Sequence, residues 1–414
     1  MYLSGLLGVH PADKEEKKRM RDSIEKKTAE AYTIAVFFGG CSTEYEVSLQ
    51  SACSVILNID PDRYRLVLIG IDRKTGKWFW YRGGIEKITR DCWQNMEDCT
   101  PVFPSVDRTV HGICCLEGTE LRNISLDAAL PILHGKNGED GTLQGLLELM
   151  GVPVIGCGLL SSALCMDKEL AHQIVRMGKI KTARSVVLEY FGKNCPLAGS
   201  IPEEGSPAKD VHGEKLWMKD VSGEICMGAG PEEICAKARE IGYPLFVKPV
   251  RSGSSFGITK VQSEEQLFPA VKEAFRHDST VILEEMIDGF EVGCAVLGTD
   301  APIIGEVDEI ELSDGFFDYT EKYTLKTSSI HVPARISPEK AEEIKETALK
   351  IYQMLKCSDF ARVDMFLTPD GEIYFNEVNT IPGFTSHSRY PNMLKEAGLT
   401  FGGVIERLLA NAGL

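Results

Sequence analysis

The sequence predicts an α/β protein that begins with a parallel α/β domain and continues into α+β segments. Three consecutive stretches carry this prediction. The apolar run "YTIAVFFGG" ends in glycines and indicates a buried strand, "EVSLQSACSVILNI" has apolar residues at helical spacing, and "YRLVLIGID" indicates a second strand. A strand, a helix and a strand in that order are typical of a parallel sheet.

Further elements follow in the same alternation. "LDAALPILHG" predicts a strand that ends in a loop, "DGTLQGLLELMG" predicts a helix closed by Gly151, and residues 152–190 continue the alternation. Residues 191–232 are rich in Gly, Pro and charge, which indicates an insertion or mobile lid with one hairpin around "EKLWMKD". After it, "YPLFVKPV" predicts a strand, "SEEQLFPAVKEAF" a helix, and "VILEEMI", "FEVGCAVLG" and "IIGEVDEIEL" three more strands.

Composition and charge exclude several classes of protein. The chain has 414 residues, of which 43% are hydrophobic, and this is enough for a large core and two or three domains. Its formal charge of -16 argues against binding to nucleic acid or to an anionic membrane. No apolar run reaches the roughly 18 to 20 residues of a membrane span, so we expect a cytoplasmic protein. The 13 cysteines include no CxxC pair, which favours reduced thiols, many of them buried.

Two strands near the C-terminus carry a pair of carboxylates. "FARVDMFL" and "IYFNEVN" both alternate as strands, and "TPDGE" between them predicts a hairpin turn, so Asp364 and Glu377 can lie opposite each other. Asn379 shares a face with Glu377, and oxygen ligands of these three types suit Mg²⁺. Arg362 lies on the same face as Asp364, where it could reach phosphates or a developing oxyanion. The alternative is a solvated sheet face that carries charges.

Three loops are further candidates for a site. In "FVKPVRSGSSFG" a strand with Lys248 leads into a Gly-Ser loop whose N–H groups could bind phosphates, and a simple hairpin turn is the alternative. The lysine favours phosphate, because an unpaired buried ammonium is energetically unfavourable. Residues 134–141, "HGKNGEDG", and residues 315–326, "GFFDYTEKYTLK", are by themselves more typical of loops than of sites.

Six motifs along the chain together resemble those of one known family. They are "GGCSTEYEVS", "LHGKNGEDGTLQGLLELMG", "SALCMDK", "VKPVRSGSSFG", "FFDYTEKY" and "RVDMF...NEVNTIPGFTSHSR". Their order and spacing resemble those of the D-alanine-D-alanine ligases, which are members of the ATP-grasp superfamily. The resemblance covers about residues 33–414 apart from the insertion. Within the family the motifs are most similar to those of VanG-type D-alanine-D-serine ligases, which are associated with vancomycin resistance.

The resemblance implies an N-terminal parallel α/β (pre-ATP-grasp) domain followed by a two-subdomain ATP-grasp fold. A charged extension precedes these domains, and its residues 11–30 indicate a solvated helix or a disordered leader. Four divisions are predicted: the extension at residues 1–32, a substrate-binding α/β domain at 33–156, a central subdomain with the insertion at 157–284, and a C-terminal catalytic subdomain at 285–414.

The resemblance also implies the reaction. ATP phosphorylates the carboxylate of D-alanine, and the amine of a second D-amino acid, D-alanine or D-serine, then displaces phosphate through a tetrahedral intermediate to give a peptidoglycan precursor. Two ions of Mg²⁺ or Mn²⁺ are expected, with Asp364, Glu377 and Asn379 as ligands. The residues implied for ATP are Lys168, Lys248, Ser255, Glu284, Glu291 and Lys322.

The remaining implied residues bind the two amino acids. They are Glu44, Ser254 and Tyr323 around the first ammonium, His134 beside the first substrate, Arg362 and the Gly383 N–H as the oxyanion hole, and Ser388 at the second carboxylate. Losing one oxyanion donor typically costs about 2.7 to 4 kcal/mol.

Arg389 departs from the pattern of D-alanine-specific members, which usually have a leucine there. A charged donor to a serine hydroxyl is worth roughly 1.5 to 3 kcal/mol, on the order of a 10- to 100-fold preference, so Arg389 favours D-serine as the acceptor. The alternative is that Arg389 pairs with an acid such as Asp318 and that D-alanine stays preferred. Tyr323 argues against D-lactate, because the lactate-specific relatives lack this "EKY" loop.

Two other functions stay open. One is an ATP-grasp ligase with a different acceptor, although "TSHS" together with "EKY" argues against it. The other is an inactive nucleotide-binding homologue. Only the insertion and the extra N-terminus favour it, and it is opposed by the fact that every matched catalytic position holds a competent residue. The sequence also leaves open the oligomeric state, for which a homodimer is one possibility.

Overall fold

The computed structural model describes residues 31–190, 216–220, 225–227, 230–253, 257–312 and 328–411. Within these ranges the chain forms three β-sheets with helices packed on them. Residues 1–30 of the predicted extension, most of the insertion, and the predicted residues Ser254, Ser255, Asp318, Lys322 and Tyr323 lie outside the described residues. Across the described ranges, no helix has both the length and the apolar character needed to span a membrane.

The first sheet combines parallel and antiparallel strands. Its strands are Tyr32–Gly39 (β1), Tyr64–Ile71 (β2), Trp78–Tyr81 (β3), Cys99–Pro104 (β4), Gly112–Glu117 (β5), Glu120–Ser125 (β6) and Ala128–Pro131 (β7). They are ordered β6-β5-β4-β3-β2-β1-β7. β1 lies parallel to β2 and β7, as the strand-helix-strand pattern predicts. The other pairs are antiparallel, since the chain turns back from each of these strands into its neighbour.

Three helices belong to this first part of the chain: Tyr45–Ile56 (α1), Ile85–Thr89 (α2) and Thr142–Met150 (α3). α3 ends at Gly151, whose φ of 76° is left-handed, and this confirms the predicted helix end. In β1 the residues from Ile34 to Phe38 are all 0% exposed. A continuous apolar run is expected for a parallel strand that is covered on both faces.

The second sheet follows two helices and a short strand: Leu159–Met166 (α4), Lys168–Met177 (α5) and Lys181–Thr182 (β8). Its strands are Ser185–Tyr190 (β9), Leu216–Asp220 (β10), Ile225–Met227 (β11), Leu245–Pro249 (β12), Thr259–Val261 (β13) and Thr280–Glu285 (β14). They are ordered β11-β10-β9-β14-β12-β13, and the antiparallel pair β10–β11 confirms the predicted hairpin. Helices Pro231–Ile241 (α6) and Glu264–Ala274 (α7) pack on this sheet through a shared apolar cluster.

The third sheet contains the strands near the C-terminus. They are Phe290–Leu297 (β15), Ile303–Ile304 (β16), Asp308–Leu312 (β17), Ser328–His331 (β18), Phe360–Leu367 (β19) and Ile373–Asn379 (β20). The order is β18-β17-β15-β19-β20-β8, with β16 paired to β15. The stretch predicted as one strand, "IIGEVDEIEL", is thus two strands separated by residues 305–307. The helices of this part are Pro338–Met354 (α8), Arg389–Glu396 (α9) and Phe401–Asn411 (α10).

One apolar cluster joins the first sheet to the C-terminal helices. Phe360, Phe384 and Tyr390 are at most 1% exposed and pack together with Val36 of β1 and Leu49 of α1. The Phe384 ring centroid lies 5.5 Å from that of Phe360 and 5.2 Å from that of Tyr390. The turn that follows β20 is therefore held against α1.

Two further predictions concern the thiols and the domain boundaries. Eleven cysteines within the described ranges are free thiols and most of these are buried, as predicted. The predicted boundary at residue 156 falls between α3 and α4, whereas the one at residue 284 falls inside β14. The division into domains stays a prediction.

Candidate active site

Strands β19 and β20 place the predicted carboxylates opposite each other. Asp364 pairs with Glu377, and Arg362 with Asn379, in the antiparallel register. Asp364 is 1% exposed. It accepts hydrogen bonds at 2.8 Å from the Arg362 Nε, the Arg362 Nη2 and the Asn379 Nδ2. The guanidinium of Arg362 thereby reduces the repulsion that two facing carboxylates would otherwise have.

The oxygens near Glu377 suit a hard cation. Glu377 and Asn379 line a cavity, and Asn379 turns its amide nitrogen towards Asp364, which leaves its amide oxygen facing elsewhere. Two carboxylates and an amide are ligands of the type that Mg²⁺ prefers, with water and phosphate in its remaining positions. In the described part of the chain, no three or more His, Cys, Asp or Glu side chains form a metal-binding group by themselves. Asp364, Glu377 and Asn379 are thus oxygen donors of the kind that Mg²⁺ takes from a protein.

A cavity of about 520 Å³ lies beside this strand pair. Six residues predicted for the amino acids line it: Glu44, His134, Arg362, Gly383, Ser388 and Arg389. They come from the start of α1, the loop after β7, β19, and the turn and helix after β20. The fold thus brings together residues that are far apart in the sequence.

A second cavity, of about 490 Å³, lies between the second and third sheets. The residues predicted for ATP that line it are Lys168, Lys248, Glu284 and Glu291. Their charges have both signs, and apolar side chains such as Phe246 and Ile258 complete the lining. A polar ligand with an apolar ring would match these walls.

The two cavities meet at three residues that line both of them, Lys168, Ser252 and Glu377. The Lys168 Nζ donates to the Ser252 carbonyl at 2.8 Å and lies 3.9 Å from a carboxylate oxygen of Glu377. Lys168 is the first residue of α5, and Asp167 caps this helix by accepting from the Leu170 N–H at 3.0 Å. A cation and a carboxylate therefore lie at the junction of the cavities.

Lys248 and Glu284 form a buried ion pair in the second cavity. The lysine Nζ lies 3.0 Å from a glutamate oxygen, and the two residues are 8% and 3% exposed. Burial raises the pKa of Glu284, but the charges of Lys248 and His172 outweigh burial, so this pKa lies below its ordinary value. The predicted buried lysine is thus compensated by a carboxylate, and its burial does not by itself require a phosphate.

Arg389 lies in a network of acids beside the first cavity. Its Nε and Nη2 donate to the two carboxylate oxygens of Asp308 at 2.7 and 2.8 Å, and its Nη1 donates to Glu291 at 2.6 Å. An oxygen of Asp364 lies 3.4 Å from the Nη2. Burial lowers the pKa of Arg389, but the charges of Asp308 and Asp364 outweigh burial and hold it well above its ordinary value. The guanidinium is therefore charged at any pH that the fold tolerates.

Asp308 is a site residue that sequence reasoning missed. It is the first residue of β17 and is 0% exposed. The stretch "VDEIEL" contains three acids in an alternating strand, so no local signal separates Asp308 from Glu309 and Glu311. The acid that the sequence offered as a partner of Arg389, Asp318, lies outside the described residues. Only the tertiary contact between β17 and α9 selects Asp308.

The loop after β7 binds the turn after β20. The His134 Nδ1 lies 2.8 Å from the Ile381 carbonyl, and Glu139 accepts from the Gly135 N–H at 2.7 Å and from the Ile381 N–H at 3.0 Å. Burial lowers the pKa of His134, while burial and the charge of Glu44 raise the pKa of Glu139 to about 8. Sequence reasoning missed Glu139, and its only signal was an acid within the glycine-rich stretch "HGKNGEDG".

Glu44 is packed against two glycines. It is 7% exposed and directly precedes α1. A Cβ on Gly253 would lie 2.7 Å from a carboxylate oxygen of Glu44, and a Cβ on Gly135 would lie closer still. The φ of Gly135 is 72°, which residues with a side chain rarely adopt. Glycine at both positions therefore lets two loops approach this carboxylate.

Comparison with known proteins identifies the family. A model of the D-ala D-ala ligase N-terminus matches residues 33–157, and one of the D-ala D-ala ligase C-terminus matches residues 227–410. A D-alanine-D-alanine ligase of Caldicellulosiruptor bescii is 40% identical over 380 residues, which are 92% of this chain and 94% of that protein. A putative D-alanine-D-lactate ligase of Streptomyces coelicolor is 42% identical over 384 residues, which are 92% of this chain and 97% of that protein.

A solved structure is also similar. The crystal structure of the VanG D-Ala:D-Ser ligase from Enterococcus faecalis is 50% identical, with a TM-score of 0.77, over 92% of this chain and 100% of that chain. The three relatives are named for three different acceptors, so similarity alone does not identify the acceptor of this chain. The predicted resemblance is confirmed, and the chain belongs to the D-alanine-D-alanine ligase family, the ATP-dependent ligases that join D-alanine to a second D-residue for peptidoglycan precursors.

Proposed function

We propose that this chain uses ATP to join D-alanine to D-serine through a D-alanyl phosphate. The observation that carries the proposal is the meeting of two cavities at Lys168, Ser252 and Glu377. One cavity has walls suited to a nucleotide and the other has charged and hydroxyl groups suited to amino acids. The γ-phosphoryl group would cross at their junction, where positioning and neutralisation of charge are the main contributions a protein can make.

ATP would occupy the second cavity. Lys168 and Lys248 would neutralise its phosphates, while Glu284 would lie on the adenine side and Glu291 at the ribose. Ser255 and Lys322 are proposed for the phosphates as well, and both lie outside the described residues. The support for this arrangement is that the four described residues already line one cavity.

Asp364, Glu377 and Asn379 are the residues that would hold Mg²⁺ or Mn²⁺. When bound, the metal would supply neutralisation of the charge on the phosphates during transfer. Arg362 lines the first cavity and donates to Asp364, so its guanidinium is held close to the proposed ligands. Together with the Gly383 N–H it would stabilise the oxyanion of the tetrahedral intermediate.

The two amino acids would occupy the first cavity. Glu44 would bind the first ammonium with the help of Ser254 and Tyr323, and His134 would lie beside the first substrate. Ser388 would bind the carboxylate of the acceptor. It immediately precedes α9, a helix with no acidic residue in its first turn, and the positive end of the helix dipole favours an anion there.

Arg389 supports D-serine as the acceptor. A guanidinium has five N–H donors, and among the described residues Asp308 and Glu291 accept from three of them, so one N–H of the Nη1 would be available to a hydroxyl of the acceptor. The similar VanG structure is that of a D-Ala:D-Ser ligase, which supports the same acceptor. The ion pairs of Arg389 also support the alternative in which D-alanine stays preferred, because this guanidinium already has partners.

Identification of the dipeptide products tests both parts of the proposal. The protein is incubated with ATP, Mg²⁺ and D-alanine, with and without equimolar D-serine, and the dipeptide products are identified and quantified by mass spectrometry. We expect D-alanyl-D-serine to exceed D-alanyl-D-alanine, on the order of 10- to 100-fold if one charged hydrogen bond sets the preference. Arg389→Lys keeps the charge opposite Asp308 but loses the forked geometry, so it should lower this ratio.

Two results would contradict the proposal at different levels. D-alanyl-D-alanine as the only product would refute the D-serine preference and leave the ligase activity intact. Absence of ADP release with any D-amino acid, in a folded protein that binds ATP, would refute the ligase activity itself.

A further inference from the structure

Ile381, at the start of the turn after β20, has both of its backbone groups bound by side chains. Its N–H donates to Glu139 at 3.0 Å, and its carbonyl lies 2.8 Å from the His134 Nδ1. Because a carbonyl can only accept, the Nδ1 carries the proton, and in the neutral ring the Nε2 is then an acceptor. Glu139 is itself anchored by the Gly135 N–H at 2.7 Å. The loop after β7 thus fixes the entrance to the turn.

Ser51 of α1 fixes the exit of the same turn. Its Oγ accepts from the Phe384 N–H at 3.2 Å and lies 3.1 Å from the His134 Nε2, to which it donates. Ser51 is 0% exposed and is not among the residues that line the first cavity. Phe384 is 1% exposed, so water cannot readily replace the serine as a partner of this N–H.

Gly383 lies between these two anchored points. Pro382 has no N–H, and the Gly383 N–H forms no hydrogen bond with any residue that the structure describes. Gly383 also lines the first cavity. Since the peptide group is planar, the direction of this N–H is set by where its neighbours are held.

We propose that Ser51 and Glu139 are positioning residues that aim the Gly383 N–H at the developing oxyanion. This rests on the proposed function, in which that N–H stabilises the tetrahedral intermediate. A donor of this kind is effective because it is already oriented before the charge develops. A displacement of about 1 Å can lower the rate by about 100-fold, even when the cause lies away from the reacting atoms. Ser51 acts in this way from outside the cavity.

Two variants test the proposal from opposite ends of the turn. Ser51→Ala removes the acceptor of the Phe384 N–H, and Glu139→Gln offers a single acceptor oxygen to two N–H groups. We expect kcat to fall about 10- to 100-fold in each variant, with little change in KM for D-alanine or ATP. Ser54→Ala is the matched control, because Ser54 lies on the same helix and its hydroxyl bonds, among the described residues, only to the Gln50 carbonyl, so this variant should keep the kcat of the wild type.

A phosphinate dipeptide that mimics the tetrahedral intermediate gives a second readout. Its affinity should fall in both variants by the same factor as kcat, whereas the affinity for ATP should not change. The proposal is overturned if both variants keep the kcat of the wild type. It is also overturned if kcat and the thermal midpoint fall while both KM values rise, because local unfolding would cause that combination. ADP release by the wild type with D-alanine is measured first, and its absence would overturn the proposed function, so the two failures are distinguishable.

Discussion

At the scale of single residues, the first cavity depends on buried ion pairs. Asp308 is 0% exposed and meets Arg389 through two hydrogen bonds at 2.7 and 2.8 Å. A forked pair of this kind satisfies two donors at once, which helps to offset the cost of removing both charges from water. Removing one partner of a buried pair leaves an uncompensated charge and costs about 3 to 5 kcal/mol. This is the reason why Arg389→Lys is a more informative variant than an apolar replacement.

Glu139 predicts a pH dependence of stability. Burial and the charge of Glu44 raise its pKa from 4.5 to about 8 in the folded protein. Between these two values the folded protein keeps a proton that the unfolded chain releases. The contribution of this group to stability is therefore complete below about pH 4.5 and is lost as the pH rises to about 8.

Glu139→Gln cannot titrate, so the free energy of unfolding of this variant relative to the wild type should increase with pH across that window. Urea unfolding of both proteins at several pH values between about 5 and 9 measures the difference. A difference that stays constant over this range would contradict the raised pKa.

At the scale of elements, a helix cap helps to place Lys168 at the junction of the cavities. α5 begins at Lys168, and Asp167 caps it through the Leu170 N–H. Loss of a helix cap typically costs about 0.5 to 2 kcal/mol and loosens the first turn. The Lys168 Nζ would then lose its fixed position beside Ser252, where it now donates to the carbonyl at 2.8 Å.

Asp167→Ala should therefore raise KM for ATP and also lower the free energy of unfolding by about 0.5 to 2 kcal/mol. Ser337→Ala is the matched control, because Ser337 caps α8 in the same way through the Lys340 N–H at 3.3 Å. Ser337 lines neither cavity, so its loss should lower stability without changing KM. Steady-state kinetics measures KM for ATP, and urea unfolding measures stability, in the wild type and both variants. Equal KM values in the two variants would count against the role of the Asp167 cap.

At the scale of the whole molecule, the site exists only where the three sheets meet. The first cavity takes residues from α1, β19 and α9, and the aromatic rings beneath it belong to a cluster shared with β1. Phe360 is 0% exposed, and its ring centroid lies 5.5 Å from that of Phe384 and 6.2 Å from that of Tyr390. The cluster therefore supports both the turn and the helix that line the cavity.

Phe360→Ala should lower the free energy of unfolding by about 3 to 5 kcal/mol, because it removes a large buried side chain and leaves a cavity. Phe360→Leu fills more of the same space and should cost clearly less, which makes it the matched control. Urea unfolding measures both variants. A loss below about 1 kcal/mol in the alanine variant would show that this ring does not join the two parts of the core.

Local patterns were sufficient for some parts of the site. Asp364 and Glu377 were expected to face each other because strand alternation and a hairpin turn act within a few residues, and they do face each other. The partners of Arg389 and Glu139 are not predicted by any local pattern. Arg389 lies 81 residues from Asp308 along the chain, and Glu139 lies 242 residues from Ile381. Contacts at such separations depend on how the sheets pack, and no period or motif encodes them.

The sequence by itself determined the family, the parallel strands around β1, the facing carboxylates and a subset of the residues that line the two cavities, because these follow from local periodicity and from motifs in a specific order. Only the tertiary structure decided which acids meet Arg389, that Lys248 is already paired, and which side chains hold the turn around Gly383. The physical reason is that a buried charge or N–H takes whichever partner the packing brings within about 3 Å, and that choice is made across the core and not along the chain.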